Sequence, residues 1–305
     1  MAFRSVGINQ PGGTPNLPDT LETLKYSGAD FVELLLPELG VILGGTLDRP
    51  RLKSVREALL PSGLSYTVHA PLEADLMDLD RQEIQKSILI SSVRFAGEIG
   101  ADIVVFHAGQ RVASRDVRYR FKDQLAAERA ALRDIGDTAA ELGVTVAVEN
   151  YFPDQAVLRG EAYDYSTWPP DLAEQVAAVD HPAVGICLDV GHAALASGFF
   201  GFDFVEACAA AAPLVRHIHL HDNLNTNCAS VNPSDYGDPV YGTGDLHLPP
   251  GRGSIPLADL LRQVEFPADP RCCLELSPDL FHEAPQALLA ARELSQLASR
   301  RKLVV

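Results

Sequence analysis

The sequence predicts an α/β fold, a single (β/α)8 TIM barrel, and three observations carry that prediction. Eight short apolar, β-branched runs recur along the 305 residues, each followed by a loop, as buried parallel strands are. Their starts lie between 27 and 57 residues apart, room for a loop, a helix and a second loop each time. Several intervening helical segments stop at a glycine just before the next run, in "YSGAD", "PSGLS", "EIGAD" and "ELGVT". That is the left-handed C-terminal stop of a helix.

In chain order the predicted strands are "RSVGIN" (4–9), "FVELLL" (31–36), "SYTVHA" (65–70), "IVVFHA" (103–108), "TVAVEN" (145–150), "VGICLD" (184–189), "VRHIHLHD" (215–222) and "CCLELS" (272–277). Between the third and fourth, residues 81–99 set Ile84, Ile88, Val93 and Ile99 among charged residues, the spacing of an amphipathic helix. Residues 123–142 do the same with Leu125, Leu132, Ile135 and Leu142. The competing architecture is an open, doubly wound sheet. It is the weaker reading, because the first strand runs into "NQPGGTPN" and the GxGxxG dinucleotide fingerprint is missing. "GTGDLHLPPGRGS" is glycine-dense but lacks GKS or GKT, and it reads as an ordinary loop. With no repeat, linker or low-complexity stretch, residues 1–305 form one domain with an inserted rim loop at 222–245.

Apolar residues at 47% and charged residues at 22% are the composition of a globular enzyme. A net charge of −16 argues against a general polyanion binder, since nucleic-acid affinity rests on Lys and Arg meeting phosphates. Five cysteines, an odd number without a CxxC pair, read as free thiols in a reducing compartment. The start "MAFRSVGINQPGG" has no basic region leading into an apolar run, and no apolar stretch approaches the roughly 20 residues of a membrane span. A cytoplasmic protein with no membrane partner is the expectation, and oligomer formation is left open.

A barrel builds its active site at the C-terminal ends of its strands, and there the ionisable residues collect. Strand three ends in His69, strand four in His107, strand five in Glu149, strand six in Asp189 with His192 one turn on. Strand seven carries His217, His219 and His221 at alternate positions and so on one face. Its loop brings Asp245 and His247, and strand eight carries Glu275. Each alone has an ordinary structural reading, as a core histidine, an arginine partner or a helix start. Burying them together needs compensating positive charge, which bound cations supply. Mixed imidazole and carboxylate ligation suits Zn²⁺ or Mn²⁺ better than Ca²⁺.

The motifs "HAP" (69–71), "FHAG" (106–109), "VEN" (148–150), "CLDVGHA" (187–193), "HLHD" (219–222), "DLHLPPGRGSI" (245–255) and "LEL" (274–276) resemble the xylose isomerase-like barrel superfamily. It includes apurinic endonuclease IV and many sugar isomerases and epimerases. For a trinuclear zinc site of the endonuclease IV branch, the resemblance implies His69, His107, Glu149, Asp189, His192, His219, Asp245, His247 and Glu275 as ligands. For a simple epimerase it implies one divalent metal on Glu149, Asp189, His219 and Glu275, with His192 facing substrate. One to three Zn²⁺ or Mn²⁺ ions per chain are therefore expected. His221 is assigned to substrate or to a carboxylate behind the metal, and His217 to packing in the barrel.

Two chemistries follow, both on a small-molecule substrate such as a sugar, a sugar phosphate or a phosphodiester. The full ligand set puts a di- or trinuclear phosphoester hydrolase first, with Glu149 bridging cations that generate hydroxide. The alternative is a single-metal sugar isomerase or epimerase in which Glu149 and Glu275 pass a proton, with His192 as the third catalytic candidate. A non-catalytic metal-binding barrel and an apurinic endonuclease rank below these. The loop "PELGVILGGTLDRPR" is mostly apolar and "PLEADLMDLD" is acidic, so DNA phosphates would find little there. Arg111, Arg115, Arg118 and Arg120 form the one dense basic run near the rim, either a phosphate contact or a solvated helix start. Tyr151, Phe152, Tyr163, Tyr165 and Trp168 suit stacking on a sugar or anchoring of a long loop. Trp168, Arg252 and His221 are the substrate-binding candidates, and the loop from 222 to 245 is read as shaping the pocket.

Overall fold

The computed structural model describes residues 2–13, 16–109, 112–227 and 237–297. Eight parallel strands close into a barrel: β1 (Ser5–Asn9), β2 (Phe31–Leu35), β3 (Ser65–His69), β4 (Ile103–His107), β5 (Thr145–Glu149), β6 (Val184–Asp189), β7 (Val215–Leu220) and β8 (Arg271–Leu274). Each pairs with its neighbours in sequence, and β1 closes the ring against β8 with Ser5 opposite Arg271. Around them run α1 (Leu17–Tyr26), α2 (Arg49–Leu59), α3 (Gln82–Ile99), α4 (Val117–Leu142), α5 (Pro169–Val179), α6 (Val190–Phe200), α7 (Phe204–Ala211), α8 (Leu257–Gln263) and α9 (Ala284–Leu297). The predicted single barrel is the observed fold.

The strands are apolar on both faces because both are covered. One set of side chains, including Ile8, Leu34, Phe106, Val148 and Leu188, packs with the helices in the main core. The opposite set faces the lumen, where Ile103, Val105, Ala147 and Cys187 form a small separate apolar cluster. At the N-terminal end Arg271 lies 5.0 Å from the centroid of the buried Phe31 ring and pairs with Asp102. Towards the C-terminal ends the lumen turns polar, and the site begins there.

Helices α3 and α4 end at Gly100 and Gly143 with φ of 74° and 69°, as their sequence predicts. Most of the predicted positions are buried or packed on the core, Val93, Leu132 and Ile135 fully and Ile88, Ile99 and Leu125 partly. Ile84 and Leu142 are exposed, and Gln85, Leu89, Val93 and Ala96 carry the buried face of α3. Helix α4 begins at Val117, so Arg118 and Arg120 lie in its first turns. Of the basic run, Arg111 lies outside the described residues, while Arg115 pairs with Asp116 and Arg120 with Asp80 at the surface. The rim loop holds a two-stranded hairpin, Gly237–Asp238 with Thr243–Gly244; residues 228–236 lie outside the described part. Cys187, Cys208, Cys272 and Cys273 are buried free thiols; Cys228 lies outside the described residues.

Candidate metal centre

Six of the nine histidines gather at the C-terminal end of the barrel. They meet carboxylates in three groups, each with ligand-capable atoms within 4.8 Å of one another. The groups are His69, His107 and Glu149; Glu149, Asp189, His219 and Glu275; and His192, His221, Asp245 and His247. All nine residues expected as ligands fall into them, Glu149 is shared by two, and His221 joins the third. His219 Nδ1 lies 2.9 Å from Glu149, 3.3 Å from Glu275 and 3.8 Å from Asp189. His69 Nε2 and His107 Nε2 stand 3.2 and 3.4 Å from Glu149 Oε2. His192 Nε2 and His247 Nε2 stand 3.3 and 2.8 Å from Asp245 Oδ2.

Local structure fixes these side chains. Asp189 ends β6 and also caps α6, its Oδ1 accepting the His192 backbone N–H at 2.7 Å, a short polar side chain at the N-cap. Asn150 holds the Asp189 backbone from both sides, donating to its carbonyl and accepting from its N–H. His192 Nδ1 lies 2.9 Å from the Asn150 carbonyl, and His69 Nδ1 2.8 Å from that of Ala70. A carbonyl can only accept, so both rings hold a proton on Nδ1 and turn Nε2 inward, the atom that would meet a cation. The turn carrying His247, itself at φ 48°, is tied down by Asp222. That residue bridges Leu248 through the backbone and accepts from the N–H groups of Gly251 and Ile255.

The electrostatics fit a cation. Burial raises the pKa of Glu149, but the charge of His219 and the hydrogen bonds of His219 and His69 overcome it and hold the carboxyl well below its usual range. Burial pushes the His107 imidazole down to about 4, which leaves it neutral and ready to donate a lone pair. Glu275 goes the other way: burial raises it against the pull of His219 and His247. Asp245 Oδ1 is buried with no hydrogen-bond partner, a costly state that a divalent ion would relieve. Residues of this chemistry, with tautomers already set, match what Zn²⁺ or Mn²⁺ requires.

Above the groups opens a cavity of about 180 Å³, with Leu35, Leu72, Tyr151 and Phe152 on its wall and Asn9 and Gln10 beside them. Tyr151 and Phe152 stack at 4.7 Å between centroids. The structure does not bring Trp168, Arg252 or His221 to this wall: Trp168 precedes α5 beside Phe202, Arg252 turns outward to Glu283, and His221 is fully buried against Asp189. Tyr165 is buried as a donor to Glu128, and Tyr163 contacts Asp171. His217, expected as packing, is buried and bonded to Glu33. Glu33 itself went unpredicted, although the lone acid in the apolar run "FVELLL" was the available signal. A carboxylate in a buried strand must have partners.

Comparison with known proteins agrees with the fold. Residues 21–298 match the family model for xylose isomerase-like TIM barrels. The uncharacterized protein MJ1311 of Methanocaldococcus jannaschii is 26% identical over 259 residues, spanning 83% of this chain and 78% of that protein. A D-tagatose 3-epimerase-like protein superposes with a TM-score of 0.70 at 19% identity, covering 97% of this chain and 99% of its own. The apo form of 3-keto-D-glucoside 4-epimerase YcjR from E. coli superposes with a TM-score of 0.67 at 16% identity, covering 95% and 99%.

Proposed function

The chain belongs to the xylose isomerase-like TIM barrel family, and on that premise we propose that it is a metal-dependent isomerase or epimerase of a sugar or sugar phosphate. The observation that carries this reading is the pair Glu149 and Glu275, both within 3.3 Å of His219 Nδ1 and shifted in opposite directions. A divalent ion held by Glu149, Asp189, His219 and Glu275 would polarise the substrate carbonyl and its neighbouring hydroxyl. Epimerisation needs a proton taken from one face of the carbon beside that carbonyl and one returned to the other. Glu149, kept ionised, suits the base; Glu275, raised by burial, suits the acid. Tyr151 and Phe152 present ring faces to a sugar, and the cavity admits a small molecule and not a duplex. His192 lines the cavity beside this group and is proposed to contact a substrate hydroxyl. This order reverses the one the motifs alone favour, because the two solved neighbours named above are an epimerase and an epimerase-like protein.

The test is conversion of keto-sugars and their phosphates by the Mn²⁺- or Zn²⁺-loaded protein. Glu149→Gln and Glu275→Gln should each reduce kcat by roughly 10²- to 10⁴-fold. A panel on which wild type converts nothing, or variants that keep full rate, contradict the reading. One observation favours a second reading, phosphoester hydrolysis: two further ligand groups flank the first and Glu149 is shared, which is a multinuclear arrangement. It predicts release of alcohol from phosphodiesters by protein loaded with two or three ions.

A further inference from the structure

Glu33 takes no part in the chemistry above, yet at the base of the cavity its carboxylate accepts from three side chains. It lies on β2, across the lumen from β7, and is buried to 2% exposure. Its Oε1 is 2.8 Å from His219 Nε2, and its Oε2 is 2.9 Å from His217 Nε2 and 2.8 Å from the Thr67 hydroxyl. His219 therefore has a carboxylate on each ring nitrogen: Glu33 behind, and Glu149 and Glu275 in front. A carboxylate accepts, so each ring nitrogen holds a proton towards its own carboxylate; a cation among the four residues would take the place of the Nδ1 proton, while the Nε2 proton stays held towards Glu33. Backbone carbonyls do the same for His69 and His192. Of these three, His219 alone has a charged group in that place, itself clamped by a second histidine and a hydroxyl.

We propose that Glu33 is a positioning residue of the metal centre, which fixes the tautomer and orientation of His219 and is anchored for that purpose by His217 and Thr67. The ionised carboxylate makes the imidazole a stronger electron donor at Nδ1, so Glu33 acts on metal affinity through His219 without touching the ion. The buried triplet of histidines on and just after β7 then has a division of labour: His221 meets Asp189, His219 the group of Glu149, and His217 holds Glu33.

This inference rests on the metal reading given above, and one experiment separates their failures. Mn²⁺ and Zn²⁺ affinities are measured by chelator competition on wild type, Glu33→Gln and Glu33→Asp, alongside the melting temperature of each metal-free protein. The expected result is affinity weakened by about 10- to 100-fold in both variants, with metal-free melting unchanged; Gln removes the charge, and Asp keeps it but is too short to span both rings. Unchanged affinity in either variant overturns the role of Glu33 and leaves the metal reading standing. Wild type that binds neither ion overturns both, and does so before any variant is made. If the Glu33 variants melt early, Thr67→Val removes only the anchoring hydroxyl: a smaller loss of affinity supports the proposal, and none overturns it.

Discussion

Gly191 sets how closely His221 approaches Asp189. A Cβ at this position would fall on the His221 ring at Cε1 and Nε2, whose Nε2 lies 3.1 Å from Asp189. Gly191→Ala should cost about 1–3 kcal/mol of stability by denaturant melting, as overpacking does, because the ring and the α6 backbone must separate. Wild-type stability would mean that the ring moves freely. Asp245 and His247 make a second prediction at this scale. In the isomerase reading, Asp245→Ala or His247→Ala leaves metal on Glu149, Asp189, His219 and Glu275 and mainly raises KM; loss of all metal and activity would speak for a multinuclear hydrolase. The sequence made these residues legible because each stands at a strand end or in a short motif. Glu33 and Glu128 were not legible in this way, since their partners come from strands and helices far along the chain, and only closure of the barrel brings them together.

Helix α4 shows the same dependence on tertiary context. Its Glu128 is fully buried and accepts from the Gly109 backbone N–H, the Tyr165 hydroxyl and the Gln175 side chain, tying the loop after β4 to α5. Burial raises its pKa above the ordinary 4.5, more than these donors lower it. The folded state therefore prefers the protonated carboxyl. Its contribution is fully present below the unfolded value and is lost as pH rises through the folded one. Wild type should lose stability relative to Glu128→Gln as pH rises from about 4.5, read as the difference in melting temperature across a pH series. A difference independent of pH contradicts this. Periodicity located α3 and α4 and most of their buried positions but missed at Ile84 and Leu142 near the helix ends, and it ended β8 too late. An apolar residue at helical spacing says that a helix has a buried face; the neighbouring helices decide which face it is.

At the scale of the whole molecule, the barrel gathers at one rim side chains that the sequence spreads over more than two hundred residues, from His69 to Glu275. Strand count, spacing and glycine stops made that fold readable, and the position of each strand end then made most of the site readable with it. The choice of reaction was not readable, because one ligand set serves proton transfer and phosphoester cleavage alike. Trp168 and Arg252 show the same limit, since their rim position is settled by loop packing and not by residue type. The central claim is that this rim moves a proton between carbon faces, with Glu149 and Glu275 as its carriers. The direct measurement is turnover of keto-sugars by the metal-loaded protein in D₂O, followed by mass spectrometry of the sugar. The account predicts deuterium on the carbon beside the carbonyl, lost in Glu149→Gln and Glu275→Gln. Sugars recovered without deuterium, from protein that cleaves a phosphodiester under the same conditions, would contradict it.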